Sequence, residues 1–197
     1  PDRVFVPVGD GCIIGGIYKG FRDLLALGWI DAMPKIMGVQ AAGSSALVDA
    51  WERGLQGWEM TLQPADTIAD SISAGLPRDR NKALTAVRES GGAYLRVSDQ
   101  EILDAIPVIA RNTGVFSEPA AAAAYAGLVK ALWDAGCAVI VPEFRGHGGS
   151  REYTMGGRKR EFDIARMGRG DVASIIGADM EAVKKYLREE NNAKKLN

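Results

Sequence analysis

The feature that most restricts this chain is a change of period within its first thirty residues. An apolar run, Val4 to Val8, passes through the glycine-rich stretch Gly9-Asp10-Gly11-Cys12-Ile13-Ile14-Gly15-Gly16. A 3.6-residue periodicity follows at once, with Ile14, Ile17, Tyr18, Phe21, Leu24 and Leu25 on one face and Gly28 placed to stop it. A second short run, Lys35 to Gln40, completes a strand-helix-strand unit. The same switching recurs at Ala93 to Val97 and Cys137 to Val141, so the expected class is α/β, with a mostly parallel sheet and helices on both faces.

Local signals place several further elements. Ser98-Asp99-Gln100-Glu101 has capping-box spacing and opens a helix expected from about Asp99 to Arg111. Pro119 suits a first helical turn, and the alanine-rich segment behind it is expected to run, nearly fully buried, to Asp134 before Gly136. Trp58 to Ala65 has neither period and reads as an irregular connection, and Arg78 to Asn81 reads as a polar turn. Near the end, Ile175, Ile176, Ala178, Met180, Val183, Tyr186 and Leu187 are spaced to face a core.

Composition excludes more than it assigns. In 197 residues, 47% hydrophobic and 25% charged content is that of an ordinary globular protein, and a net charge of -1 gives no general reason to bind nucleic acid. No apolar run is long enough to cross a bilayer, which makes the cytoplasm the expected location. Cys12, Cys137 and the lone His147 have no metal-ligand spacing, so no metal is expected. The chain opens at Pro1 on a strand, which reads as a piece of a longer protein.

The glycine-rich turn is the candidate site. Between a strand and a helix, small residues let successive backbone N–H groups converge on an anion at the positive end of the helix dipole. Gly9, Asp10, Gly11, Cys12 and Ile13 are the candidate donors. A turn of this composition also arises for packing alone, and the stretch is neither a Rossmann fingerprint nor a Walker loop.

Five ordered segments carry a resemblance: VPVGDGCIIGGIYKGFRDL, PKIMGVQAAGSSAL, TIADSISAGLPRDRNKAL, RESGGAYLRVSDQEIL and GVFSEPAAAAAYAGLVKA. Together they resemble the threonine synthase branch of the fold type II pyridoxal-phosphate enzymes, over about residues 1–135, as the C-terminal half of the catalytic domain. The resemblance implies pyridoxal 5'-phosphate as cofactor, gripped through the backbone amides of Gly9, Asp10, Gly11, Cys12 and Ile13, with the Cys12 side chain turned away. It implies a small amino-acid substrate, O-phosphohomoserine, converted to threonine and phosphate. It also places the Schiff-base lysine upstream of this stretch, and Lys19, Lys35, Lys82 and Lys130 match no such site, so catalytic residues are unassigned and the chain alone is expected to be inactive. Amino-acid dehydratases are the alternative within the class.

Beyond the alanine-rich segment, CAVIVPEFRGHGGSREYTMGG and DVASIIGADMEAVKKYL resemble part of an α/β-hydrolase-like protein. Two half-domains would then join as in a fusion, 1–135 and 136–197, packed as one continuous sheet. The nucleophile motif of that family is missing, with Ser71-Ile72-Ser73-Ala74-Gly75 its nearest imitation, and His147 reads as a turn residue. The basic cluster Arg158, Lys159, Arg160, Arg166 and Arg169 is interrupted by acids, which disfavours nucleic acid. A noncatalytic α/β module, with Gly9 to Gly16 merely a turn, is the remaining reading. Half-domains leave sheet edges uncovered, so self-association is expected.

Overall fold

The computed structural model describes residues 1–136, 152–155, 158–161, 181–186 and 188–189. It divides into two compact units, one of residues 1–106 and 117–131 and the other of 107–116 and 132–197.

The first unit is built on three parallel strands, β1 (Arg3–Pro7), β2 (Lys35–Ala41) and β3 (Tyr94–Val97), with β2 in the middle. Arg3 pairs with Lys35 on one side, and Gly38 pairs with Tyr94 on the other. β2 is buried from Ile36 to Ala41, as expected of a parallel strand covered on both faces. Ile36 belongs to the core formed with helices α1 (Cys12–Ala26), α2 (Ala46–Glu52) and α3 (Arg80–Glu89), through Ile14, Leu47, Val48, Leu84 and Val87. Val39 lies on the opposite face by strand alternation. There it meets α5 (Pro119–Asp134) so closely that a Cβ on Gly127 would stand 2.5 Å from Val39 Cγ2. The α/β class, the parallel sheet and the two helical faces thus agree with the pattern of periods.

Local chemistry explains the boundaries. Gly28, at φ +69, donates its N–H to Leu25 while Trp29 donates to Leu24, closing α1 with a left-handed residue that glycine alone adopts without penalty. The capping box forms at the start of α4 (Asp99–Thr113): Glu101 N–H donates to Ser98 Oγ at 3.2 Å, and Ser98 N–H donates to the Glu101 carboxylate at 2.6 Å. Gly136, at φ +73, follows α5 and donates to Trp133.

Four expectations need correction. Leu25, assigned to the buried face of α1, is exposed, because the core contacts of that helix end with Phe21. Arg80 and Asn81 already belong to α3 and are not part of a turn. α5 is buried only on the side of Ala120, Ala122, Ala123, Ala126 and Gly127, and Trp133 near its end is 71% exposed. Tyr186, in the helical stretch 181–186, is exposed as well.

In the second unit, β4 (Glu152–Met155) and β5 (Arg158–Glu161) pair antiparallel as a separate two-stranded sheet. The strand expected at Cys137 to Val141, the loop around His147, and the helix positions Ile175 to Met180 and Leu187 lie outside the described residues.

Candidate functional site

All three strands of the first sheet run the same way, so the turns after β1, β2 and β3 leave from one edge, where α/β proteins build ligand sites. The turn after β1 is the glycine-rich stretch. Val8 continues the ladder by donating its N–H to Val39, and the chain then bends through Gly9, Asp10 and Gly11 into α1.

Two of the glycines are required by their surroundings. A Cβ on Gly9 would lie 2.9 Å from Ile72 Cα. Gly11 is the residue before α1, buried, at φ +93 and ψ -2, and a Cβ there would meet Ala83 Cβ at 2.8 Å and the Asp79 carbonyl oxygen at 3.1 Å. Packing against Ile72 and α3 is therefore one reason for the composition of the turn. The packing account and the anion account coexist here, since the same closeness fixes the amides.

Asp10 ties the turn down through its acceptors. Its carbonyl oxygen accepts the Asp79 N–H at 2.8 Å and its carboxylate accepts the Arg78 N–H at 3.2 Å, tying the turn to the entrance of α3. Cys12 and Ile13, the first residues of α1, are both exposed. Among the backbone bonds at this turn the N–H groups of residues 9–13 do not donate, α1 has no side-chain cap, and its first turn carries no acid. Such a terminus presents unsatisfied donors and the positive end of a dipole.

These groups border a cavity of about 190 Å³, several times the ~30 Å³ share of one water in the liquid, lined by residues 7–14 and 71–74. The second wall had not been expected. The sequence marked Ser71 to Gly75 only as an imperfect nucleophile motif, whereas the structure uses that segment as the rim facing the glycine turn. Ser71 Oγ is engaged with Glu118 at 3.3 Å. Ala74 N–H is fixed by Ser44 Oγ at 2.9 Å. A terminus rich in free N–H groups, in a cradle that side chains at 9 or 11 would disturb, suits an anion the size of phosphate.

Among the described residues, no lysine lines this cavity. Lys19 pairs with Asp23 at 2.5 Å and Lys82 with Asp79 at 2.7 Å, and both border a separate open groove along α1. Hydrogen bonding and charge from Asp79 raise the pKa of Lys82. Lys130 lies 3.9 Å from Glu101, and Lys35 is exposed at the start of β2. Lys82 packs against the glycine-rich stretch at Gly15, where an added Cβ would lie 3.1 Å from its Cβ. Among the described residues there is no cluster of metal-ligating side chains and no helix long and apolar enough to cross a membrane.

Comparison with known proteins adds independent findings. A family profile described as "Pyridoxal-phosphate dependent enzyme" matches residues 1–142. Threonine synthase of Methanosarcina acetivorans is 45% identical over 130 residues, covering 66% of this chain and 32% of that protein. The threonine synthase of Methanocaldococcus jannaschii is 42% identical over 132 residues, with coverages of 67% and 32%. The chain thus spans about a third of the length of these curated relatives. Among solved structures, a fungal L-serine ammonia-lyase from Rhizomucor miehei superposes with a TM-score of 0.53 at 22% identity, covering 68% of this chain and 40% of that one. At that identity the likeness speaks for the fold alone.

Proposed function

This chain belongs to the family of pyridoxal-phosphate dependent enzymes, and from that premise we propose that it carries the phosphate-holding part of a threonine-synthase-like catalytic domain. The observation that carries the reading is the glycine turn itself: five consecutive residues, Gly9, Asp10, Gly11, Cys12 and Ile13, line one cavity at the start of a helix without a side-chain cap. Bound there, the cofactor would supply an electron sink for an amino-acid substrate, O-phosphohomoserine and water giving threonine and phosphate.

The residues of this chain hold and orient. Backbone amides neutralise phosphate charge without a cationic side chain, and the packing of Gly9 on Ile72 and Gly11 on Ala83 keeps those amides in place before the anion arrives. On this reading none of Lys19, Lys35, Lys82 and Lys130 binds the cofactor covalently, and the chain by itself is expected to bind without turnover. The cofactor segment runs to about residue 135, with 136–197 a separate segment. The change of compact unit at Leu132 supports a boundary near there, while the family match continues to residue 142. A cytoplasmic setting and self-association through uncovered sheet edges complete the reading.

The test is equilibrium binding of pyridoxal phosphate to the full chain. Binding is expected that inorganic phosphate competes away, that pyridoxal without its phosphate shows far more weakly, and that lacks the absorbance of a lysine-bound cofactor. No binding, or binding indifferent to phosphate, would overturn it.

A further inference from the structure

Gln40 is a polar residue at the centre of the sheet, with no exposed surface. A primary amide buried among apolar strands is costly unless its donors and acceptor are used, and here they are. Oε1 accepts the N–H of Leu47 at 2.8 Å and of Val48 at 3.1 Å, while Nε2 donates to the Val8 carbonyl oxygen at 3.1 Å. Two N–H groups on one side and a carbonyl on the other leave the amide a single orientation.

The consequence lies one bond further on. The Val8–Gly9 peptide is planar and trans, so its carbonyl and its N–H point in opposite directions. By fixing the Val8 carbonyl toward itself, Gln40 directs the Gly9 N–H, first of the five candidate donors, to the far side. Val8 is tied twice to β2, since its own N–H donates to Val39 at 2.8 Å. Four residues after Gln40, the buried Ser44 accepts the Ala74 N–H at 2.9 Å and so holds the opposite rim of the same cavity.

We propose that Gln40 and Ser44 are positioning residues: from the exit of β2 they brace the two walls of the anion cavity, one through Val8 and the other through Ala74, and set where the amides stand. The proposal rests on reading that cavity as a phosphate cradle. Neither side chain touches the anion, and both act through the backbone.

The experiment uses the full chain and two variants, Gln40→Met and Ser44→Ala, with inorganic phosphate and pyridoxal phosphate as probes and amide hydrogen exchange on the ligand-free proteins. Gln40→Met is expected to weaken both probes on the order of tenfold, because a buried carbonyl and two N–H groups lose their partner. Ser44→Ala is expected to weaken them several-fold. Exchange should quicken at Val8, whose N–H donates to Val39, in the first variant and at Ala74 in the second. Lowered melting temperature with wild-type probe affinity and wild-type exchange at those amides would reduce both residues to packing and overturn the brace. Should the wild-type chain bind neither probe, the cradle reading fails, and the exchange pattern alone then decides whether the brace exists. If Gln40→Met does not fold, Ser44→Ala, which removes one oxygen, decides.

Discussion

Replacing Gly11 by alanine puts the geometry of the glycine turn to a quantitative test. Two separable costs follow from the structure. At φ +93 an L-residue with a Cβ is in the left-handed region, which costs about 1–2 kcal/mol. The added Cβ would also stand 2.8 Å from Ala83 Cβ, on a buried helix whose backbone carbonyl at Asp79 lies 3.1 Å away, and overpacking of this kind costs about 1–3 kcal/mol. Relief of one strain partly relieves the other, so a total of about 2–4 kcal/mol is expected, a large share of the roughly 5–15 kcal/mol that holds a domain together. Urea unfolding of the variant and wild type, at unchanged slope, measures it. The paired change Ala83→Gly separates the contributions: it removes the steric contact but not the backbone one, so the double-mutant cycle should show a coupling of about 1 kcal/mol or more. A loss below about 0.5 kcal/mol, or no coupling to position 83, would show that the turn does not lie against α3 as described, and the pre-set amides would go with it.

Glu101→Gln should cost about 1 kcal/mol by removing a charged partner of the capping box. Burial pushes the Glu101 carboxyl up, but the bonds from Ser98 and the nearby Lys130 ammonium outweigh it and hold the pKa below the usual carboxylate value of 4.5. A lowered folded pKa means stability present above the unfolded value and lost as pH falls through the folded one, so the gap between wild type and variant in thermal unfolding should close below about pH 4. Gly127→Val should destabilise by about 1–3 kcal/mol, partly restored by Val39→Ala, because the two positions share one space between α5 and β2. Equal stability of Gly127→Val and wild type in urea would remove α5 from that face of the sheet.

Strands β1, β2 and β3 were legible because each is a short β-branched or apolar run bounded by glycine or polar residues, and parallel burial leaves such runs uninterrupted. α4 and α5 were legible from their caps, Ser98 with Glu101 and Pro119 with Gly136. α2 and α3 were not marked. Ala46 to Glu52 is only two turns, too short for a period to register, and α3 buries small residues, Ala83 and Ala86, whose weak hydrophobicity hides the face they form. In the site, Gly9 to Ile13 stand out by composition, but the facing wall at residues 71–74 does not, since main-chain groups recruited from sixty residues away leave no side-chain signature. Gln40 carried a signal that was readable in principle: one amide near the end of a strand that is apolar from Ile36 onward has to be satisfied by something the fold brings to it.

The parallel order of the sheet has a consequence for how the first unit assembles. Arg3 faces Lys35 and Gly38 faces Tyr94, so no strand can find its neighbour by a tight hairpin. Each pairing waits until a helix or more of intervening chain has been gathered in, and the entropy of closing those long loops is spent before any ladder forms. Pairing across such sequence distances is slow, and until it is complete unsatisfied strand edges are open to other molecules.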